Sequence, residues 1–325
     1  MGGDFAPANV IAGAIAALRE TNNRFEVVFI GPEPVVAAQL QSAGANGCAY
    51  RIVNATEIID MHDAATAALK QKKNSSITVG MTLHKEGGAD AFVSAGHSGA
   101  VMSTATLILG RIEGVSRPTI GTFFPSMRGV CLLVDAGANV DCKPQHLFEF
   151  GLMGSIYAHH MFNIERPTVG LLSIGEEPSK GNDAVKEAHN LFAQSTLNFL
   201  GNVEGRDILQ GKADVVVCDG FVGNIILKFA ESVPAFFKHV LGQYMKKSLR
   251  LKLMGLMMRG TLRGALKSMD YEEYGGVPVL GVNGVSIIGH GKSTPKAIKN
   301  MILKAEETVK KRINYRIQES LVSVK

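Results

Sequence analysis

Residues 169–192 read VGLLSIGEEPSKGNDAVKEAHNLF, and the class of fold turns on how they are divided. Val169 to Ser173 is a short apolar run of the kind a strand buried in a parallel sheet needs. From Asp183 to Phe192, the apolar or small residues Ala184, Ala188, Leu191 and Phe192 recur at helical spacing. Between the two halves, Gly175 and Gly181 permit turns that a side chain would block, and Asn182 or Asp183 can cap the helix. The sequence predicts a strand, a tight loop and a helix start, with Lys180 just ahead of the helix. Free N–H groups and the positive end of the helix dipole favour an anion there, and a lysine adds a full charge. A plain βα loop with a solvated lysine has the same local pattern.

The same unit recurs on either side. AFVS at 91–94 runs into Ala95-Gly96-His97-Ser98-Gly99-Ala100 and a helix of small residues to Leu109. VCLLV at 130–134 ends in Asp135-Ala-Gly-Ala-Asn139, with a helix over 144–160. Residues 213–218 lead into Asp219-Gly-Phe-Val-Gly-Asn224 and a helix from Ile225. Residues 285–288 lead into Gly289-His290-Gly-Lys-Ser-Thr294 and one helix over 295–317. Nearer the N-terminus, FEVVFI at 25–30 and residues 50–53 read as strands, and 8–21, 34–42, 61–73 and 76–85 as helices. Repeated strand–loop–helix units imply a mostly parallel sheet with both faces covered. Ligands of such sheets bind beyond the carboxyl ends of the strands. That rule gathers Asp4, His97, Asp135, Lys180, Asn224 and His290 into one expected crevice.

Composition agrees. The 325 residues are 46% hydrophobic and 19% charged, enough for a sizeable core, and no low-complexity linker divides them. We therefore expect one α/β unit over residues 1–325. Cys48, Cys131, Cys142 and Cys218 show no metal-type spacing, and Cys131 and Cys218 sit in apolar runs. A reducing cytoplasm suits them. No signal peptide is visible, and no uncharged apolar run approaches the ~20 residues of a membrane span.

One segment breaks the pattern. Residues 232–269 contain no Asp or Glu but carry Lys238, Lys246, Lys247, Arg250, Lys252, Arg259, Arg263 and Lys267. The chain's net charge of +5 becomes −3 without them. Between the charges, Leu249, Leu253, Leu256, Met257, Met258, Leu262 and Leu266 recur at spacings of three and four. A basic amphipathic protrusion of this kind suits an anionic membrane surface or an acidic protein. It is also compatible with a packed helix pair or a dimer contact. Nucleic acid fits less well, because Tyr244 stands alone among the charges.

Several motifs fail. Gly289-His-Gly-Lys-Ser-Thr lacks the first P-loop glycine, since Ser286 holds that place. No GxGxxG follows a strand and no GxSxG occurs. His159-His160 lies late in an apolar helix, and no set of residues points to a metal.

Five stretches together carry a resemblance. Met1-Gly-Gly-Asp-Phe-Ala-Pro, Ser94-Ala-Gly-His-Ser-Gly-Ala, Val134-Asp-Ala-Gly-Ala-Asn139, Leu172-Ser-Ile-Gly-Glu-Glu-Pro-Ser-Lys-Gly-Asn182 and Cys218-Asp-Gly-Phe-Val-Gly-Asn224 occur in that order. They closely resemble the bacterial phosphate acyltransferases of phospholipid synthesis, which use acyl carrier protein and phosphate. Family members carry a short strand ending in Asp-Ala before Met-Gly-Gly-Asp; this chain begins at that Met. The resemblance implies a Rossmann-like three-layer α/β/α sandwich related to the phosphotransacetylases. It also implies a cytoplasmic homodimer with peripheral membrane contact, and neither metal nor organic cofactor. Its partners would be acyl carrier protein and a downstream membrane glycerol-phosphate acyltransferase. The reaction implied moves a long acyl group from the carrier thioester to inorganic phosphate. A phosphotransacetylase-like enzyme using acyl-coenzyme A and a non-catalytic scaffold are the rivals.

Phosphate is already anionic near neutral pH and a thiolate leaves readily, so the residues need only aim the phosphate and stabilise an oxyanion. The resemblance assigns Lys180 to that charge and Asn224 to an amide donor. Gly3, Gly96, His97, Ser98, Gly99, Asn139, Gly181, Asn182, Gly220 and His290 are candidate substrate or phosphate contacts. Asp4, Asp135 and Asp219 are candidates at the same site that orient the lysine and loop amides or cap turns, because a carboxylate facing phosphate would repel it. A cysteine nucleophile is disfavoured, since Cys48 and Cys142 lie off the candidate loops.

Overall fold

The computed structural model describes residues 1–325 apart from 61, 266–270 and 324–325. Its main sheet is built from β3 (Ala91–Ser94), β4 (Thr119–Ser126), β5 (Gly129–Val134), β6 (Thr168–Leu172), β7 (Asn198–Val203), β8 (Val215–Val217), β9 (Val277–Leu280) and β10 (Val285–Ile288). Their order across the sheet is β3-β10-β9-β4-β5-β8-β6-β7. A small parallel pair, β1 (Val27–Gly31) with β2 (Tyr50–Asn54), lies apart.

The strands at 129–134 and 215–217 show why the sheet is a middle layer. Leu132, Val134, Val215 and Val217 belong to one apolar cluster, while Cys131, Leu133 and Val216 belong to another. Alternate residues of a strand face opposite ways, so both faces are buried. One face packs on α6 (Pro144–Phe162) and α7 (Asp183–Ala193), which supply Phe150, Tyr157, Ala188 and Phe192. Each such large side chain stabilises the fold by about 1.5–3 kcal/mol. The other face packs on α8 (Gly205–Gln210) and the first turns of α9 (Gly220–Met245), through Val222, Ile226, Leu227 and Ala230. The other half of the sheet is covered by α1 (Ala8–Glu20) and α11 (Pro295–Lys310) on one side. The other side carries α4 (Ser76–Lys85) and α5 (Ser98–Thr104).

The expected three-layer α/β/α architecture is therefore present, with parallel pairings in the majority. The strands β4, β7 and β9 were not foreseen. Pro125 and Pro278 interrupt β4 and β9, and proline argues against a strand when only sequence is read. The helix expected over 61–73 shrinks to α3 (Ala67–Lys70), and Met61 lies outside the described residues. The helix expected over 295–317 breaks where Arg312 adopts a φ of 52°, and resumes as α12 (Ile313–Ser323).

The basic segment forms the outer part of α9 and then α10 (Leu249–Ala265). Leu249 is 84% exposed and Met257 78%, and Leu253, Leu256 and Met258 are exposed as well. Leu266 and Lys267 lie outside the described residues. By length and composition α9 could cross a membrane, although no such segment was expected. The expectation asked for an unbroken uncharged run, and α9 carries scattered charges such as Lys228 and Lys238.

Candidate active site

Register decides which loops can meet. The strands β5, β8 and β6 are adjacent and parallel, so their carboxyl ends leave one edge of the sheet together. That edge gathers the Asp135–Asn139 loop, the Asp219–Asn224 turn and the Ser173–Asn182 loop. Between β5 and β10 lie β4 and β9, and every step across them is antiparallel. Three reversals send β10 and its parallel neighbour β3 the opposite way. Gly96, His97, Ser98, Gly99 and His290 therefore follow strands that run the other way, with Gly3 and Asp4 against their loops. Yet Val134 pairs with Gly121, Ile120 with Val279, Val279 with Ser286 and Ser286 with Phe92, so the carboxyl ends of β10 and β3 come level with that of β5. The loops expected to share one crevice thus form two groups that approach from opposite strand directions, and the antiparallel strands β4 and β9 turn them toward each other. The groups are joined through α5, whose Ala100 and Val101 share an apolar cluster with Ala136 and, packed against it, Ala138 and Leu227.

In the first group, Asp135 is fully buried. Its Oδ1 accepts backbone N–H groups from Ile120 (3.3 Å), Gly137 (3.1 Å) and Ala138 (3.0 Å). Its Oδ2 accepts both the backbone N–H and the side-chain amide of Asn139, each at 2.7 Å. Burial raises its carboxyl above the usual range, while the N–H groups pull it down. Asp135 is thus the frame of its loop, and both its oxygens are taken up by the protein rather than offered to substrate. Asn139 is committed too, its amide also donating to the Pro118 carbonyl at 2.8 Å.

The start of α9 is pressed onto this frame. The N–H of Gly220 donates to the Asn139 carbonyl at 2.7 Å, and Asp219 caps the helix by accepting the Val222 N–H at 2.8 Å. A Cβ on Gly223 would lie 1.8 Å from the Asp135 carbonyl oxygen, so no larger residue fits there without backbone movement. This close approach places exposed Asn224 beside Gly137, where a Cβ would lie 3.3 Å from the Asn224 Oδ1.

The third loop behaves differently. Lys180 is exposed at its outer end, and its N–H closes a turn on the Glu177 carbonyl at 3.0 Å. Gly181 follows with a φ of 106°, and Asn182 caps α7 by accepting the Val185 N–H at 2.9 Å. Asn202 of β7, which the sequence reading passed over, donates to the same Glu177 carbonyl at 2.8 Å. The visible sign was an asparagine amid the apolar residues of NFLGNV.

In the second group, Asp4 donates its N–H to the Gly291 carbonyl at 2.9 Å, and a Cβ on Gly3 would meet the Ala95 carbonyl at 2.8 Å. His97 is a correction. Its Nδ1 accepts the Ala100 N–H at 3.1 Å, which leaves Nε2 to donate to the Asp63 carbonyl at 3.0 Å. Both ring nitrogens hold the loop, so the imidazole is a cap and not a phosphate ligand. His290 likewise accepts the Lys292 N–H at 3.2 Å. Ser98 is exposed and Gly99 half-buried.

Cys142 also needs correcting. It lies against the first group, its Sγ donating to the Asn139 carbonyl at 3.5 Å. Burial, with Asp135 and Asp219 nearby, pushes its thiol up to about 12, so it is a poor nucleophile despite its position.

Comparison with known proteins identifies the family and the fold. A family described as fatty acid synthesis protein matches residues 1–316. The phosphate acyltransferase of Chlorobaculum tepidum is 48% identical over 99% of this chain and 100% of its own length. That of Pelotomaculum thermopropionicum is 45% identical over 100% of this chain and 94% of its own length. Among solved structures, a phosphotransacetylase from Streptococcus pyogenes superposes with a TM-score of 0.62 at 18% identity, covering 92% of this chain and 91% of that one. EutD phosphotransacetylase from Staphylococcus aureus gives 0.54 at 16% identity, over 92% and 99%. The fold is shared with these last two, and along its whole length the chain belongs to the phosphate acyltransferase family of acyltransferase enzymes.

Proposed function

We propose that the carboxyl edge of β5, β8 and β6 is where phosphate attacks an acyl thioester carried by acyl carrier protein. The observation that carries this reading is that two helices, α7 and α9, follow neighbouring parallel strands at one edge of the sheet, each with an exposed group of the right chemistry near its start. Lys180 supplies positive charge at the start of α7, and Asn224 supplies an amide donor in the first turns of α9. A phosphate oxygen forms a bond to the thioester carbon, and the carbonyl oxygen gains negative charge facing the Asn224 amide and the lysine. Collapse breaks the C–S bond and expels thiolate, which takes a proton from solvent. Gly181 and Asn182 shape the phosphate side, while Gly3, Asp4, Gly96, Ser98, Gly99 and His290 form a second wall for substrate across α5.

The exposed apolar face of the protrusion, with no acidic residue among 232–269, supports peripheral contact with an anionic membrane. Exposed Phe229, Phe236 and Phe237 on α9 support a second copy as partner, giving a homodimer. A downstream membrane acyltransferase would receive the acyl phosphate there.

The test is direct. The enzyme is incubated with phosphate and either a long-chain acyl carrier protein or the matching acyl-coenzyme A, and acyl phosphate is trapped with hydroxylamine. Product with the carrier substrate supports the reading. Product with the coenzyme alone replaces the carrier, and no product with either removes the reaction. For the protrusion, Leu253→Asp with Met257→Asp should abolish co-sedimentation with anionic vesicles, and unchanged sedimentation counts against membrane contact.

A further inference from the structure

We propose that Asn202 is a positioning residue that holds the Lys180 turn in its working place. The inference rests on the assignment of Lys180 to catalysis. Asn202 is only 3% exposed and stands beside Leu171 of β6 in the parallel ladder. Registered residues of such a pair face the same way, so its side chain shares a face with Leu171 and, two residues on, Ser173. Leu171 packs there in the cluster that holds Ala188 and Phe192 of α7. From this face the Asn202 amide reaches up to the Glu177 carbonyl, the oxygen that also accepts the Lys180 N–H. One carbonyl with two lone pairs thus closes the turn that presents the lysine and ties that turn to the sheet.

The Ser173 N–H ties the base of the loop to the Val203 carbonyl at 2.8 Å, but its outer part has weaker moorings. Ile174 and residues 176–180 are exposed, and the Lys212–Glu176 ion pair lies at the solvent surface. The Asn202 Oδ1 is buried without a hydrogen-bond partner, a cost that a strand paired through its backbone does not require. The donor it directs at Glu177 is the return for that cost.

Asn202→Asp keeps the shape and, when ionised, sets a carboxylate against the Glu177 carbonyl. Near neutral pH, kcat for acyl-phosphate formation should fall about ten- to a hundredfold, as a misplacement of about 1 Å can cause. KM for the acyl donor should stay within about twofold. A buried carboxyl has a raised pKa, and once protonated it can donate. The rate of N202D relative to the parent enzyme should therefore recover as the pH is lowered. Asn202→Ser, too short to reach Glu177, should lose comparable kcat without that recovery. Combining N202S with Lys180→Ala should give no lower kcat than Lys180→Ala alone, since one acts through the other. Parental kcat in N202S, or additive losses in the combined variant, would overturn the role. Should N202D fail to fold, N202S and the combined variant decide. A fully active Lys180→Ala would overturn the assignment of Lys180 instead, an outcome separate from any result at Asn202.

Discussion

The helices α9 and α7 begin on neighbouring strands and are built in opposite ways. At the start of α9, Gly220 and Gly223 are pressed onto the Asp135–Asn139 loop, and beneath them every carboxylate oxygen of Asp135 is engaged. At the start of α7, the loop stands out in solvent and exposes Lys180. A buried carboxylate surrounded by N–H groups is scaffolding, because nothing from outside can reach it. An exposed cation on a turn is available to a ligand, and its position depends on a few anchors. Charge alone does not mark a functional group; the direction in which its hydrogen bonds run does.

That contrast can be broken experimentally. Asp135→Ala should cost the most, about 3–5 kcal/mol of stability as when one member of a buried charged network is removed. Urea unfolding would measure it, and a loss under 1 kcal/mol would mean the loop does not depend on the carboxylate. Lys180→Ala should cost about 2.7–4 kcal/mol in the rate, a hundred- to thousandfold, if it stabilises the oxyanion. Its stability should change by less than about 0.5 kcal/mol, the usual range for a surface position. Thermal unfolding beside the hydroxylamine assay separates the two, and equal damage to both would erase the distinction between the helices.

Smaller effects sharpen the comparison. Gly223→Ala forces α9 away from the Asp135 carbonyl and should destabilise by about 1–3 kcal/mol, as overpacking does. It should also slow the reaction, because Asn224 rides on the same turn. Normal stability and rate would show that the two elements can separate freely. Asn182→Ala removes the cap of α7 and should cost about 1 kcal/mol. Hydrogen exchange at the first turn of α7 would report it, with the α9 turn unaffected.

Much of this site was legible in the amino acids. Lys180, Gly181 and Asn182 announced a turn followed by a capped helix, and Asp219 lies where a cap belongs. The dual burial of the strands at 130–134 and 215–218 followed from their unbroken apolar runs. His97 misled, because an imidazole beside a glycine turn looks the same whether it grips a ligand or its own backbone. Asn202 stood out only as a polar residue in an apolar run, since its meaning lies in a carbonyl twenty-five residues away.

Local chemistry therefore settled the elements: where chains turn, which helix starts carry caps, and which charges cluster at 232–269. Its basis is short-ranged, in glycine conformations, capping hydrogen bonds and the spacing of apolar side chains. Tertiary structure decided which of those starts face one another. Strand direction is set by pairing partners distant in sequence, and the antiparallel β4 and β9 reverse half of the sheet. The same long-range pairing brought β7 beside β6, and so put a buried amide under the lysine turn.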